Sequence, residues 1–402
     1  KDSAGRYILK QDISLAPDKY DTHNIKIWLD EDTPESEIGK TISLKIYAYG
    51  EVCEDGECNG GASIPVVNKI ISQLDTSGKC PTVNEDGTVN VTAVEATNGY
   101  LCKAKDAYGD SYYYRGNVTN NYVKFADKYW RIIRINGDGT VRVIYDGTSA
   151  HANGESSEDR QIGTTAFNSS GDDNAYVGYM YGATGASTYT ETHVNTNNST
   201  IKTYLDTWYE NNIKGTTNEQ YIADNLFCND RSFASNNSGT GTGISHTYYR
   251  WSNFADNSNN NKMMLTCPQK NDAFTVNDTS KGNGALTYGI GLVTTDEVVL
   301  AGGYSDDNYD YYLYNGKRYW TMSPHTGSHG TGELIVCPSG SAECANYVIN
   351  AYGARPVINL KSDVLTYGDG TMNNPYRLTE NIDSTTSSGG GSSASGSIEE
   401  GL

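Results

Sequence analysis

The segment Ser305-Asp-Asp-Asn-Tyr-Asp310 brings three carboxylates, Asp306, Asp307 and Asp310, within six residues. A hard cation such as calcium takes oxygen ligands of this kind, so calcium is the one cofactor the chain suggests. A solvated acidic loop is the commoner fate of such a charge run. Asp138, in the turn Asn136-Gly-Asp-Gly139, lacks the further oxygen ligands a calcium loop needs. Next to the acidic cluster comes an aromatic stretch, Tyr309, Tyr311, Tyr312, Tyr314, Tyr319 and Trp320, followed by His325, Ser328 and His329 in a Gly-rich loop. Tyrosine gives rigid contact area at low entropic cost. Tyr312, Tyr314, Tyr319, His325, Ser328 and His329 are therefore the candidate ligand-binding residues. Were Tyr309–Tyr314 a strand, its side chains would alternate, and half would be core. Trp320 reads as core. No Gly-x-Ser-x-Gly elbow, His-Glu-x-x-His pair or phosphate loop is present, and the chain does not read as an enzyme.

These residues need a scaffold, and the clearest part of it is Tyr129-Trp-Arg-Ile-Ile-Arg-Ile135 with Val141-Arg-Val-Ile-Tyr145. Both runs alternate with a period of two, and Asn136-Gly-Asp-Gly139 between them tolerates positive φ, so they read as a β-hairpin. A helix is expected over Ser199–Ile213, with Ile201, Tyr204, Leu205, Trp208 and Ile213 at helical spacing. A short one is expected from Thr295 through Leu300, its first-turn acids suiting the helix dipole and Gly302-Gly303 ending it. Another starts at Ser63, with Pro65 in its first turn, and stops at Gly78. Polar stretches at 149–175, 184–199 and 234–260 read as loops.

Along the chain the fold class is α+β. Residues 1–50 carry alternating strands, Tyr7–Lys10, Asn24–Leu29 and Thr41–Tyr49, too few for a closed sandwich. They read as a partial β-sandwich or a strand-exchange segment. Residues 51–100 form a connector of disulfide loop and helix, and residues 101–378 one large domain rich in loops and disulfides. Residues 379–402 are a Ser/Gly-rich disordered tail, either a linker toward an anchor or a cloning remnant.

The eight cysteines pair by proximity as Cys53–Cys58, Cys80–Cys102, Cys228–Cys267 and Cys337–Cys344. Zinc is the competitor, but no Cys-x-x-Cys or paired histidine accompanies Cys53-Glu-Asp-Gly-Glu-Cys58. Disulfides imply an oxidising, extracellular setting. The chain opens at Lys1 without a signal peptide and reads as a processed or trimmed form. No apolar run is long enough to span a membrane. Among 402 residues the formal net charge is −19, which argues against binding nucleic-acid phosphates. The 32 tyrosines suit a binding surface, though an AT-rich genome would also raise Tyr and Asn.

Several separate motifs occur in order: Asp106–Gly116, Asn121–Phe125, Tyr129–Gly139, Phe227–Arg231, Gly291–Val298, Tyr319–Pro324, Arg355–Leu360 and Gly368–Thr371. Over roughly 101–378 the chain resembles large surface proteins of Firmicutes and mollicute-like gut bacteria with a C-terminal domain of the DUF6273 type. Tyr319-Trp-Thr-Met-Ser-Pro324 and Gly353-Ala-Arg-Pro356 are also remotely similar to the C-type-lectin-like fold, shared with formylglycine-generating-type domains. That resemblance implies a C-type-lectin-like domain with its ligand face near the aromatic stretch. The reactive cysteine pair of formylglycine-type oxidases would fall on Cys337 and Cys344, which read more simply as a structural disulfide. The sugar-binding Glu-Pro-Asn or Gln-Pro-Asp motif of calcium-dependent lectins is absent. Arg355 is expected in a buried or half-buried salt bridge with Asp296 or Glu297. Residues 20–50 resemble the end of a small sandwich related to fibre-forming matrix proteins, which implies donor-strand exchange between copies. The expectation is an extracellular bacterial cell-surface adhesin or ligand-binding module. Its partner would be a glycan or protein on a host or neighbouring cell. The alternative is a subunit of a surface filament or pilus built of its own copies.

Overall fold

The computed structural model describes residues 66–91, 98–185, 187–233, 262–304, 308–327, 330–342 and 344–378. The strands expected within 1–50, the Cys53–Cys58 pair, the polar stretch 234–260 and the tail 379–402 lie outside the described residues.

The alternating runs form hairpins. Strands β1 (Tyr100–Asp106), β2 (Gly109–Arg115), β3 (Tyr122–Phe125), β4 (Lys128–Ile135) and β5 (Val141–Gly147) pair antiparallel, β1 with β2 and β4 with each of β2, β3 and β5. In the β4–β5 turn, Gly139 takes a φ of 88°, a value glycine adopts at no steric cost. Asp138 serves that turn as an acceptor, for the Thr140 amide and hydroxyl. Asp106 joins it to the neighbouring β1–β2 turn. Its carboxylate accepts from the Tyr108, Gly109 and Gly137 amides and pairs with Arg134 at 2.6 Å. A Cβ on Gly137 would collide with the Gly109 amide nitrogen, so the two turns touch only because that position is glycine.

Seven further strands complete the main sheets: β6 (Thr164–Ala166), β7 (Ile290–Gly291), β8 (Tyr319–Gly327), β9 (Gly330–Val336), β10 (Cys344–Tyr347), β11 (Ala351–Gly353) and β12 (Val357–Leu360). A seven-stranded sheet runs β7-β12-β5-β4-β2-β1, with β3 also on β4, and a five-stranded sheet runs β10-β9-β8-β11-β6. Within these sheets only the β8–β11 pairing is parallel.

The described residues include four helices, α1 (Val66–Ile71), α2 (Tyr189–Thr192), α3 (Thr200–Asn212) and α4 (Thr295–Ala301), of which α3 and α4 pack on strands. In α3 the Ser199 hydroxyl caps the Lys202 amide, Ile201, Leu205 and Tyr209 are buried, and Trp208 meets Trp130 and Tyr145 edge-on. The helix thus covers the central hairpin with its apolar face. Thr294 and Glu297 cap α4 reciprocally, and Gly302 ends it at a φ of 123°. The stretches 149–175 and 184–199, read as loops, hold β6, α2 and short 3-10 turns at Glu158–Arg160 and Asn174–Val177.

The architecture is α+β. Among the described residues the main apolar core runs from Val66 in α1 to Tyr376, beside a small second cluster of Leu226, Cys228 and Ala273. The disulfide Cys80–Cys102 ties the segment after α1 to β1, and Cys228–Cys267 and Cys337–Cys344 also form. Among the described residues no helix is long and apolar enough to cross a membrane.

Candidate ligand-binding surface

The interior is held by buried charge as well as by apolar packing. Asp146, at the end of β5, is fully buried and meets Arg160 at 2.8 Å, Arg355 at 3.0 Å and Arg131 at 3.9 Å. Backbone carbonyls take more of these N–H groups: Arg355 donates to Tyr145 and Leu313, Arg160 to Glu155 and Tyr312, and Arg131 to Val118. Such carbonyls stand in for water around a buried cation. Arg355 therefore pairs with Asp146, and not with Asp296 or Glu297. The Tyr145 amide donates to the Pro356 carbonyl, which lays Arg355 beside β5. Glu297 is taken by Arg142 at 2.6 Å and Arg134 at 3.1 Å. Burial would raise its carboxyl, but those two guanidinium groups hold it below the usual range.

The expected ligand residues divide sharply by exposure. Tyr312 and Tyr319 are buried completely, and Tyr314 nearly so. Arg131 lies over Tyr312 and Arg355 over Tyr319, at 5.6 and 4.9 Å from the ring centres, a cation–π arrangement inside the core. The Tyr319 hydroxyl donates to the Leu313 carbonyl. These tyrosines brace the buried arginines and do not reach a surface. The segment 309–314 is not a strand but a turn folded over the core, so its side chains do not alternate. Tyr309 is exposed and meets Tyr314 edge-on. Trp320 is core, its indole N–H on the Thr165 carbonyl.

His325 lies near the turn end of the β8–β9 hairpin and is half-buried. Ser328 and His329 lie outside the described residues. The register sets His325 opposite Gly332, and Gly332 opposite Tyr347 on β10. Residues directly opposite in antiparallel strands share a face, so His325 and Tyr347 flank a position with no side chain. A Cβ on Gly332 would stand 2.9 Å from the carbonyl oxygens of both His325 and Asn346, which excludes a larger residue there. Tyr347 is 50% exposed, and Ile349 just beyond it 55%. The next row, Pro324, Glu333 and Asn346, faces the other way, and Glu333 is wholly buried. The disulfide Cys337–Cys344 staples β9 to β10. Tyr347 and Ile349 carry no motif. Tyr347 ends β10 and Ile349 stands in the turn just after it, so no local alternation marks either residue.

Of the acidic cluster, Asp310 is exposed, and Asp306 and Asp307 lie outside the described residues. Among the described residues no group of three or more His, Cys, Asp or Glu side chains could hold a metal ion. A narrow concavity beside α4 is lined by Arg134, Arg142, Asp230, Asp296, Glu297 and Ser323. A broader groove passes Gln73, Asp75, Tyr100, Tyr114 and Asn117. Neither is lined by a residue expected from the sequence to bind ligand. Comparison of the chain with protein-family models, with curated proteins and with solved structures found no match.

Proposed function

We propose that this chain is an extracellular bacterial surface protein that binds a cell-surface ligand, a glycan or a protein, through the β8–β10 face of a C-type-lectin-like scaffold. The observation that carries the reading is the exposed pair Tyr347 and Ile349 beside His325, with Gly332 leaving a shallow floor between Tyr347 and His325. An amphipathic ring beside a polar imidazole suits a ligand that is apolar on one side and hydroxylated or amidated on the other. Three disulfides support an oxidising location. The test is binding of the whole chain to a glycan array and to epithelial and bacterial cell surfaces. Tyr347→Ala should lower apparent affinity about tenfold or more, the scale of an aromatic anchor at an interface. Unchanged binding by that variant would remove this face as the site.

A second reading, a filament of strand-exchanged copies, is favoured by one observation. Strand β10 forms an edge of the five-stranded sheet, and an edge can accept an added strand. Regular polymers in negative-stain images would support it, and a monomer in size-exclusion chromatography would sink it.

A further inference from the structure

Between the end of β5 and the Glu158–Arg160 turn, the chain forms a strap whose middle is held by one imidazole. His151 is 5% exposed and has a carboxylate at each ring nitrogen. Glu155 lies 2.7 Å from Nδ1, and Asp159 lies 2.9 Å from Nε2. An ionised carboxylate can only accept, so both bonds form together only when both nitrogens carry protons. The His151 hydrogen bond, against burial, keeps the Glu155 carboxyl below its ordinary range. Burial would raise Asp159, but hydrogen bonds from His151, Thr148 and Ser149 bring it down to about 2. Both carboxylates therefore stay ionised from mild acid upward, where an imidazole is the group that titrates. The site is built close to the strand end. A Cβ on Gly147, at a φ of 129°, would stand 2.5 Å from the Asp159 carboxylate and 2.9 Å from His151 Nε2.

The other charged groups around the ring are held elsewhere. Asp146 of β5 pairs with Arg160 at the far end of the strap and lies 3.9 Å from Arg131 of β4. Tyr122 of β3 donates its hydroxyl to the His151 carbonyl, and burial raises it. Tyr145 of β5 is pushed up to about 12 by burial and then by Asp159 and Asp146. The strap in turn holds its neighbours. Asn153 donates to Asn117 Oδ1 and to the Val118 carbonyl and accepts from Arg131, and the Ser157 amide donates to the Asn315 carbonyl. Asn117 lines the groove beside β1. We infer that residues 148–158 are a pH-operated strap, closed while His151 bridges Glu155 and Asp159 and loosened when the ring gives up its Nε2 proton. Ser149 Oγ lies 3.4 Å from Nε2 and can turn to donate to the bare nitrogen. Glu155 keeps the Nδ1 proton, and Asp159 is left facing a lone pair. The closed strap is thus most stable in mild acid and loses its hold as pH rises through the imidazole range, which frees Asn153 and with it the Asn117 wall of the groove.

The inference stands on its own observations, apart from the Tyr347 face. Its test is amide hydrogen exchange of the full chain at about pH 5 and about pH 8.5, on either side of the imidazole range, corrected for the intrinsic pH dependence of exchange. Protection of the 148–158 segment should fall about tenfold at the higher pH, the scale of one charge-assisted hydrogen bond, while β5 stays protected. His151→Gln keeps a donor but cannot titrate, so its strap should be equally protected at both pH values. Equal protection of the wild-type strap at both pH values overturns the inference, as does a pH dependence that persists in His151→Gln. Should that variant fail to fold, ¹⁵N-labelled histidine in the wild type decides. Both His151 ring nitrogens should be protonated at about pH 5, and Nε2 alone should lose its proton by about pH 8.5. A ring already neutral at the lower pH, or one that keeps both protons at the higher, overturns the inference.

Discussion

Glu333 is a carboxyl on β9 with no hydrogen-bond donor beside it among the described residues. It is wholly buried, neither oxygen has a hydrogen-bond partner, and burial pushes it well above the ordinary carboxyl range, with Arg231 offsetting only part of that. The folded protein therefore keeps this proton to a higher pH than the unfolded chain does. Between the ordinary value and the raised one the native state binds more protons, so stability falls as pH rises through that window. Asp272 works in the same direction, since burial raises it from 3.8 to about 6 despite its partner Arg231. Glu333→Gln removes the ionisation and keeps the shape. Its urea midpoint should match wild type near about pH 4 and exceed it near about pH 8, where the wild-type carboxyl is driven to ionise. A gap that shrank with rising pH would contradict this account. At this scale residue type was legible and exposure was not. Tyr312, Tyr319 and Arg355 stood out by chemistry, and all three are buried around Asp146. Tyr312 and Arg355 meet partners 179 and 209 positions away along the chain, Ile133 and Asp146. No local pattern records such a partner.

The elements that could be read were those whose signals are local. The β4–β5 hairpin has its alternation and its Gly139 turn, α3 its spacing, and α4 its capping box. Helix α2 was missed although Thr188 and Glu191 stand at capping-box spacing, because no apolar run follows them. The reading of 309–314 as a possible strand failed for the opposite reason. Its tyrosines favour strands, but Tyr311 and Tyr312 are drawn inward, to the Gly340 and Ile133 carbonyls, whichever way alternation would point them. Capping carries a measurable share of α3. The Ser199 hydroxyl accepts from Lys202 and donates to the Tyr179 carbonyl. Ser199→Ala should cost about 1 to 2 kcal/mol, read as a lower urea midpoint at unchanged slope.

For the whole molecule, cross-links and sheet order set the behaviour. The three disulfides among the described residues close loops of very different length: Cys228–Cys267 spans 39 positions, Cys80–Cys102 spans 22 and Cys337–Cys344 spans 7. Loop-closure entropy makes the longest worth about 1.5 kcal/mol more than the shortest. Paired Cys→Ser variants, compared by denaturant titration, should lose stability in that order, with Cys228→Ser/Cys267→Ser the least stable. Equal losses for the 39- and 7-position bridges would place their value elsewhere than in the unfolded chain. Proximity in sequence was enough to pair these cysteines. Beyond the β4–β5 hairpin the order of strands was not legible, since it depends on contacts between segments far apart.

That order has a consequence for how the protein is made. Strand β12 lies between β5 and β7, so the flank of the central hairpin stays open until Val357–Leu360 arrives. At ordinary rates of synthesis, the residues from Gly147 to Val357 take roughly 10 to 40 seconds to emerge. Throughout that interval β5, whose residues are all buried in the finished fold, has no partner on that side. The nascent chain is thus kept from completing its larger sheet until nearly all of the described residues have been translated.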